Sequence, residues 1–553
     1  MTIRRGTYDA ATFDASPNDV ADVVIIGAGP SGATYAKYLS SWGFHVVCLE
    51  QGRWYSNTEY LGAKDEYEMS LYGKWSRDAN VRQAWEDYPT ELSESDMIPV
   101  MYNAVGGGTI HFGGHWARML PSDFRVRTLD GVADDWPISY DDLTPFYDET
   151  DIEWAAAGLD GDPAYPPGAA PFPQPAFPIH AVGRKVAEGM NKLGWSWWPG
   201  VNSIARKPVG DLVPCVRYGT CEAGCPNGSK ASADVVQWPA ALKNGATLVT
   251  GARVSEILTD ERGLASGVVF LDRNGTERRL RAEQVILAAN GIGTPRLLLM
   301  SQSKRHPNGL ANSSDMVGRN LMLHPHSMVV GVFEEEFNTW LGPVGQNVQS
   351  YEFYETDKSR GHVRGAKWTS LCIGGPMAMG TMIPRGPVGA HGEDLLRDIK
   401  RMMGHAIMMV VVSEDLPNPE NRVLLDPRLK DPSGLPAPKV IYKIDQNSKD
   451  LLAFHRARQR EVLEAAGAYE IHEHELLNDE PGHLLGTARM GDDPETSVVN
   501  SFGQAHDVPN LRIADGSVFV TSAGVNPTST IVALALRGAQ EMVRQASELE
   551  VPL

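Results

Sequence analysis

The chain contains 553 residues and carries a formal net charge of −19 at pH 7, from 50 Lys and Arg against 69 Asp and Glu. Hydrophobic residues make up 42% of the chain, enough for a sizeable core. The negative charge argues against broad binding to nucleic acid or anionic lipid, because their phosphates would be repelled. No stretch approaches the ~18 continuous apolar residues of a membrane span, since the apolar run at 406–412 is far too short. We therefore expect a soluble, acidic enzyme.

The N-terminal segment carries little structural signal. The first twenty residues are polar and without a pattern, which predicts a tail over the surface. Arg4 and Arg5 resemble the start of a twin-arginine signal, but no apolar segment follows before Val23. Five cysteines are too few for a disulfide scaffold. We expect a cytoplasmic chain without an export signal of its own, or a periplasmic one carried out by a signal-bearing partner.

The first regular elements begin at Val23. The apolar run 23–26 predicts a buried strand, 33–42 a helix and 45–49 a second strand. A strand, a helix and a second strand form a βαβ unit, the opening of a doubly wound parallel sheet. The predicted fold class is therefore α/β with a Rossmann-like domain.

A glycine-rich turn joins this first strand to its helix. Gly27, Gly29 and Gly32 fit G-x-G-x-x-G, in which the first glycine permits a tight turn, the second lets the backbone approach a pyrophosphate, and the third allows close helix–strand packing. The helix N-terminus offers N–H donors to that phosphate. Glu50 ends the second strand, where its carboxylate can accept hydrogen bonds from ribose hydroxyls. The pattern predicts a dinucleotide site without separating NAD from FAD.

Further elements follow in the middle and at the end of the chain. Strands are predicted at 247–250, 254–258, 266–271, 285–289 and 511–514, and helices at 294–300, 448–466 and 529–546. From 329 to 442 the alternation is looser, which predicts a sheet flanked by long loops. Dinucleotide-type elements at the beginning, middle and end indicate one discontinuous domain with a second domain inserted into it.

The domain boundaries follow from this arrangement. After an N-terminal tail at 1–20, we predict that the nucleotide-binding domain is built from 21–135, 205–320 and 475–553. The substrate-binding domain then comprises 136–204 and 321–474, and a cysteine-rich loop spans 211–232.

Several sequence blocks occur in a specific order. They are VGGGTIH at 105–111, DWPISYDDL at 135–143, GTPRLLL at 293–299, HLLGTARMG at 483–491, and NLRIADGS at 510–517 with NPT at 526–528. In these blocks the chain resembles, over nearly its whole length, the glucose–methanol–choline (GMC) oxidoreductase family, in particular the bacterial large subunits of fructose, gluconate and glucose dehydrogenases. Asn290 and Gln302 stand where the family commonly has Gly, which we expect to alter local packing rather than the cofactor.

The resemblance implies an FAD-binding domain, an antiparallel-sheet substrate domain, and oxidation of an alcohol by hydride transfer to flavin. The resemblance implies that His483 is the catalytic base. An imidazole suits this role, since with a pKa near ~6.5 it can take the hydroxyl proton at neutral pH. Asn526 becomes the second active-site residue, bonding the alcohol oxygen, where many relatives carry a second histidine. A lone histidine is more often an ordinary loop residue, but its place 43 residues before Asn526 in a matching block favours catalysis.

The resemblance also implies contacts to the flavin. Gly107, Thr109 and His111 lie in a turn that passes over the flavin in the family, and some relatives join a histidine at this place covalently to it. For His111 we expect contact and leave the covalent bond open. The other predicted FAD contacts are Val254, Asp515, Pro527 and Thr528. Weaker candidates for the cavity are His115, Trp116, His324, His326 and, as a sugar-stacking platform or as core, Trp195, Trp197 and Trp198.

Three of the five cysteines lie close together at Cys215, Cys221 and Cys225. Three thiolates in a glycine-rich loop could hold a [3Fe–4S] cluster, and the spacing matches the one that the sugar-dehydrogenase branch uses. The alternative is a loop without metal, as in other relatives. A zinc site would usually need a fourth ligand, and no nearby histidine supplies it. Cys48 and Cys372 are expected to be packed thiols.

The predicted activity is oxidation of a hydroxyl of a sugar, glycoside or sugar acid, with a polyol or aromatic alcohol left open. Electrons would leave through the cluster to a small subunit, a cytochrome or a quinone. The alternatives are an oxygen-using oxidase without a cluster, a lyase that keeps FAD only structurally, and a flavin-bearing electron-transfer subunit.

Overall fold

A computed structural model describes residues 5–13, 19–372, 374–382 and 391–548. The strands are β1 (Gly6–Asp9), β2 (Val20–Ile26), β3 (Val46–Glu50), β4 (Glu91–Ser95), β5 (Ala157–Gly158), β6 (Gln174–Pro175), β7 (Trp198–Pro199), β8 (Thr247–Thr250), β9 (Arg253–Thr259), β10 (Ala265–Leu271), β11 (Glu277–Leu287), β12 (His326–Val332), β13 (Val348–Ser350), β14 (Ala366–Leu371), β15 (Ala406–Ser413), β16 (Arg422–Lys430), β17 (Pro436–Tyr442), β18 (Glu470–His474) and β19 (Leu511–Ile513).

The helices follow the predicted periodicity in the first and last parts of the chain. They are α1 (Pro30–Ser41), α2 (Tyr67–Leu71), α3 (Ala79–Arg82), α4 (Val126–Asp130), α5 (Tyr140–Glu153), α6 (Ala181–Leu193), α7 (Ala233–Val236), α8 (Trp238–Lys243), α9 (Asn290–Met300), α10 (Pro376–Met382), α11 (Gly392–Met402), α12 (Gln446–Ala466) and α13 (Thr528–Glu548).

The largest sheet in the described residues has eight strands in the order β1-β8-β3-β2-β11-β10-β9, with β19 also beside β11. The pairs from β1 to β11, and β11 with β19, are parallel, whereas β10 runs antiparallel to both β11 and β9. Alternate residues of β2 enter different cores, Val24 and Ile26 on one face and Val23 and Ile25 on the other. Its strands come from distant parts of the chain, which confirms the discontinuous α/β fold.

A second, antiparallel sheet has the order β18-β12-β15-β14-β13-β7. One face packs on α6 and α12 through a core that includes Val186, Val329 and Leu463. The other face carries Met328, Met408 and several more apolar side chains. β15 has apolar side chains on both faces and every one of its residues is buried, so the strand shows no polar–apolar alternation.

A buried cluster of charged groups ties this sheet to the segment 521–526. The Arg364 guanidinium lies 2.6 Å from Asp123, 2.8 Å from Glu414 and 3.1 Å from Asp130. Asp123 also accepts a hydrogen bond from Tyr354 Oη, which in turn accepts one from the N–H of Gly524 at 2.8 Å. The cluster thereby fixes a loop that lies just before Asn526.

The N-terminal segment departs from the prediction of an unpatterned tail. Residues 6–9 form the edge strand β1, pairing in parallel with Thr247–Thr250 of β8. This strand has four residues and none of them is buried, so its sequence carries no apolar signal. Residues 1–4 and 14–18 lie outside the described residues. The predicted domain boundaries remain a prediction.

In the described ranges, no helix is both long enough and apolar enough to cross a membrane.

Candidate active site

A cavity of about 1070 Å³ lies where the two large sheets meet. One wall is formed by residues that follow the carboxyl ends of β2, β3 and β11, where open α/β sheets bind their ligands. The opposite wall is formed by residues of β12, β14 and β15. The volume is slightly above the ~300–1,000 Å³ typical of ligand pockets, so a large cofactor and a small substrate can share it.

The three motif glycines have different surroundings. Gly27 has φ +100°, and a Cβ there would lie 2.4 Å from the carbonyl oxygen of Ala288. A Cβ at Gly32 would lie 2.0 Å from the carbonyl oxygen of Gly27, so helix and turn are packed too closely for a side chain. A Cβ at Gly29 would meet no atom within 4 Å, and Gly29 lies on the cavity wall. Open space beside this helix N-terminus fits a phosphate group.

Glu50 lies on the same wall. Its carboxylate accepts hydrogen bonds from the N–H of Ala28 at 2.8 Å and of Gly52 at 2.7 Å. Burial raises the pKa of Glu50, and these two N–H groups oppose that rise. Each carboxylate oxygen accepts one such bond and has a further lone pair, so the group can still accept from a ribose hydroxyl.

The structure brings nearly all predicted cofactor and catalytic residues to one cavity. Gly32 is the exception, since it packs behind the turn. The predicted residues on the cavity wall are Gly27, Gly29, Glu50, Gly107, Thr109, His111, Val254, His483, Asp515, Asn526, Pro527 and Thr528.

His111 lies on the cavity wall and has one buried ring nitrogen without a hydrogen-bond partner among the described residues. Its Nδ1 lies 2.8 Å from the carbonyl oxygen of Glu222. A carbonyl oxygen only accepts, so Nδ1 carries the proton and Nε2 of the neutral ring does not. Nε2 is buried without a hydrogen-bond partner in the described part of the chain, and burial lowers the pKa of His111 well below its usual value. Such an orphaned nitrogen fits a bound group that supplies its missing contact.

Asp515 and Asn290 shape the turn between β11 and α9. One carboxylate oxygen of Asp515 accepts from the N–H of Ser517 at 2.9 Å and the other from Thr294 Oγ1 at 2.6 Å. Asn290 has φ +67°, a left-handed conformation that asparagine tolerates better than most residues. This explains how an asparagine can occupy a position where the family commonly has glycine.

His483 and Asn526 face each other on the cavity wall. Asn526 Nδ2 lies 3.4 Å from His483 Nε2. Burial of the ring is the main cause that lowers the pKa of His483 well below its usual value. Smaller contributions in the same direction come from His324, His326, Lys367 and His115. The imidazole is therefore neutral at pH 7, and one of its nitrogens can accept a proton.

His324 lies behind His483, and His326 beside it. His324 Nδ1 is 2.9 Å from His483 Nδ1, and its Nε2 is 2.6 Å from the carbonyl oxygen of Ala523 and 3.1 Å from that of Ser522. Its side chain is fully buried. His326 lies on the cavity wall.

Lys367 is a site residue that the sequence analysis missed. This residue of β14 is fully buried, and its Nζ donates hydrogen bonds to Asn526 Oδ1 and, at 2.6 Å, to Gln346 Oε1. Burial lowers the pKa of Lys367 to about 7. His115 Nδ1 lies 3.3 Å from the same Asn526 oxygen. The signal in the sequence was one charged residue within the strand pattern AKWTSL.

The wall opposite the cofactor residues is mainly apolar. It includes Met328, Leu371, Met408 and Val410. Closer to His483, Thr369 and His326 add polar groups to the same sheet face. This wall is thus polar beside the catalytic pair and apolar at Met328, Leu371, Met408 and Val410, whereas charged side chains such as Arg77 and Glu480 line another part of the cavity.

The aromatic candidates lie elsewhere. Trp116 is buried, donates from Nε1 to Asp151 Oδ1 at 2.7 Å, and stacks on Trp154. Trp195 and Trp197 pack against the core between α6, α12 and the second sheet. Within the described residues, Trp195, Trp197 and Trp198 are absent from the cavity wall. The alternative that these residues belong to the core is correct for Trp195 and Trp197, and the stacking platform is wrong.

The three clustered cysteines have separate local contacts. Cys215 Sγ accepts from the N–H of Arg217 at 3.4 Å and Cys225 Sγ from that of Ser229 at 3.3 Å. Burial raises the pKa of Cys221 to about 12, which keeps its thiol protonated. Within the described ranges, no group of three His, Cys, Asp or Glu side chains is placed to hold a metal ion. The placement of these cysteines among the described residues therefore gives no support to the predicted cluster, which stays a prediction.

A buried lysine holds this loop instead. Lys230 Nζ donates to the carbonyl oxygens of Cys221 at 2.6 Å, Ile110 at 2.7 Å and Phe112 at 2.9 Å. The cysteine loop is thereby joined to the turn that carries His111.

The glycine turn, Glu50 and the His483–Asn526 pair define a dinucleotide-binding enzyme, and comparison with known proteins identifies its family. Residues 24–326 and 417–535 match the N- and C-terminal models of the GMC oxidoreductases. The chain belongs to the GMC oxidoreductase family and is an FAD-dependent oxidoreductase acting on CH–OH groups.

Its relatives include dehydrogenases of small alcohols and sugars. The chain is 40% identical to a 2-methyl-1,2-propanediol dehydrogenase of Mycolicibacterium austroafricanum over 96% of each chain. It is 29% identical to the fructose dehydrogenase large subunit of Gluconobacter japonicus, over 96% of this chain and 98% of that one. A formate oxidase structure from Aspergillus oryzae superposes with a TM-score of 0.64 at 18% identity, covering 97% of this chain and 100% of the other.

Proposed function

We propose that this protein oxidises a hydroxyl group of a small diol or polyol that carries an apolar substituent. The observation that carries the proposal is that one cavity holds both the polar pair His483–Asn526 and an apolar wall of Met328, Met408 and Val410. A diol offers one hydroxyl to the pair and its alkyl groups to the wall. The 40% identity to a diol dehydrogenase supports the same substrate class.

The cavity residues fit FAD. Gly29 leaves open space for a pyrophosphate at the N-terminus of α1, Glu50 retains lone pairs for a ribose, and His111 Nε2 has no partner among the described residues. When bound, FAD supplies the acceptor for the substrate's hydride. The orphaned nitrogen of His111 also supports the predicted covalent link. Flavin that stays with acid-denatured protein would support the link, and complete release would refute it.

The chain's own residues move the proton. His483 is neutral because burial disfavours its charged form, so Nε2 can take the hydroxyl proton while hydride leaves the neighbouring carbon. Asn526 Nδ2 lies next to that nitrogen and donates a hydrogen bond to the alcohol oxygen, on which negative charge develops. The Lys367 bond to Asn526 Oδ1 keeps the amide N–H groups pointing towards the substrate.

A sugar, glycoside or sugar acid is the second candidate substrate. It is favoured by the 29% identity to a fructose dehydrogenase subunit over nearly the whole chain. A hydroxylated sugar would have to lose water against the methionine and valine side chains of the cavity wall, which costs free energy unless new hydrogen bonds replace that water. We therefore place it after the diol.

The acceptor of the electrons is also a proposal. The predicted route through an iron–sulfur cluster finds no support in the placement of Cys215, Cys221 and Cys225 within the described residues. We propose a quinone or a cytochrome subunit, supported by the dehydrogenase names of the relatives. Iron and sulfide analysis tests the cluster, and peroxide production in air would identify an oxidase instead. The cytoplasmic location stays a prediction.

The deciding experiment is anaerobic titration of the purified holoenzyme. The panel contains 2-methyl-1,2-propanediol, glycerol, fructose, glucose and gluconate, and the readout is bleaching of the flavin absorbance. We expect the branched diol to reduce the flavin at the lowest concentration, and His483→Gln to abolish reduction. His506→Gln is the control, since His506 contacts Ser497 outside the cavity. A preference for a sugar would replace the first candidate by the second, and a flavin that no alcohol bleaches would refute both.

A further inference from the structure

A row of hydrogen-bonding groups runs from two backbone carbonyls through His324 to His483. The carbonyl oxygens of Ser522 and Ala523 face His324 Nε2, and His324 Nδ1 faces His483 Nδ1 at 2.9 Å. The two rings are nearly perpendicular, at 85°. This row ends at His483 Nε2, which faces Asn526 and the cavity.

The backbone carbonyls determine where the protons in this row lie. A carbonyl oxygen cannot donate, so His324 Nε2 must carry a proton. With one proton, the neutral His324 ring then has a lone pair at Nδ1, which can only accept. The facing His483 Nδ1 must therefore be the donor, which leaves Nε2 of the neutral His483 ring unprotonated.

Other protonation states conflict with the surroundings. A proton on His324 Nδ1 alone would leave the Nε2 lone pair against two carbonyl oxygens, which is repulsive. A charged His324 is disfavoured because the ring is fully buried near His326 and Lys367, and the pKa of His324 is lowered to about 3.

The contacts of Asn526, on the other side of His483, independently indicate that His483 Nε2 is unprotonated. The ammonium form of Lys367, present below its pKa of about 7, can only donate, so the Asn526 atom that it contacts is the oxygen. The amide nitrogen is then the atom that faces His483 Nε2. An N–H donor facing Nε2 requires a lone pair on that nitrogen.

We propose that His324 is a positioning residue that fixes His483 in the Nδ1–H tautomer, so that Nε2 is the nitrogen that takes the substrate proton. The inference rests on the proposed function of His483 and assigns it an atom. When Nε2 is protonated, the Nδ1–H of His483 still donates to His324, and the two backbone carbonyls orient His324 to accept it. The sequence gives no sign of this pair, since 159 residues separate the two rings.

Two substitutions separate this role from packing. His324→Gln retains one acceptor and one donor, whereas His324→Leu has neither. Both residues are unbranched at Cβ and meet the same left-handed backbone, φ +47°. We expect His324→Leu to lower kcat by about 10²–10⁴-fold, the range that a general base contributes, with little change in KM. His324→Gln should recover most of the lost rate at equal FAD content.

The tautomer itself is read by magic-angle-spinning NMR of holoenzyme labelled with 15N-histidine. The chain has 15 histidines, and the His483 signals are those missing from His483→Gln. We expect a protonated Nδ1 and an unprotonated Nε2 in the native protein and in His324→Gln, and a mixed or inverted pattern in His324→Leu.

A protonated Nε2 in the native protein would overturn the inference, even if His324→Leu fails to fold. A His324→Leu protein with native tautomer and native kcat would overturn it too. Failure of the proposed function looks different, because no alcohol would then bleach the native flavin, whatever the 15N spectrum shows.

Discussion

Replacement of Lys367 by Met should remove the change in catalytic rate that the titration of Lys367 near pH 7 produces in the native enzyme. Lys367 is fully buried, and burial lowers its pKa to about 7. Its bond to Asn526 Oδ1 polarises the amide whose nitrogen lies next to His483 Nε2. Lys367 forms hydrogen bonds with Gln346 and Asn526. Its charge also contributes to lowering the pKa values of four nearby histidines, His115, His324, His326 and His483.

The size of the effect follows from the charge on that donor. A hydrogen bond from a charged donor contributes about 1.5–3 kcal/mol and one from a neutral donor about 0.5–1.5 kcal/mol. The difference of about 1–1.5 kcal/mol corresponds to roughly 5- to 13-fold in rate. Lys367 is charged below its pKa, so the native kcat/KM should fall by this factor as the pH rises through about 7. His483 adds no step in this range because its pKa is far lower.

The assay is the rate of anaerobic flavin reduction from pH 5.5 to 9. Lys367→Met should be slower than the native enzyme at pH 6 by at least the factor above and should lose the step near pH 7. Lys192→Met, at an exposed position of α6, controls for a general loss of positive charge. A native profile that is flat between pH 6 and 8, or an unchanged step in Lys367→Met, would refute the reasoning.

Four further substitutions test other parts of the structure. Gly29→Leu should fold but lose FAD, because its side chain enters the open phosphate region, and flavin content measures this loss. Gly32→Ala should destabilise the fold through its contact with Gly27, and urea unfolding measures that effect. Arg364→Met leaves buried carboxylates unpaired and should cost about 3–5 kcal/mol of unfolding free energy in urea; a loss below 1 kcal/mol would contradict the buried cluster. Met408→Gln should raise KM for the branched diol about tenfold, at about 1–1.5 kcal/mol, without raising it for a sugar.

The βαβ start and the C-terminal helices were predictable from sequence because their signals are local. The strand predicted at 247–250 is found at Thr247–Thr250, and the helix predicted at 448–466 spans Gln446–Ala466. The predicted helix at 33–42 begins three residues earlier, at Pro30, since the proline suits a first helical turn. Apolar periodicity and capping residues lie within one stretch of chain, so a single sequence is enough to read them.

The second sheet and much of the site were harder to predict. β15 is buried on both faces, so it shows an apolar run rather than alternation. Lys367 contacts Asn526 across 159 residues, and His324 contacts His483 across the same separation. Such contacts depend on how distant segments pack, and no local pattern records them. His483 and Asn526 were predicted from the resemblance of their sequence blocks to the GMC family, not from a local sequence pattern.

The three carbonyl contacts of Lys230 make the cysteine loop and the flavin-side turn one mechanical unit. Its ammonium group links Cys221 to Ile110 and Phe112, the residues on either side of His111. A reagent that alkylates a thiol in the loop would displace the loop and the Lys230 contacts, and would therefore shift the His111 imidazole as well. Thiol labelling should therefore change the flavin absorbance spectrum.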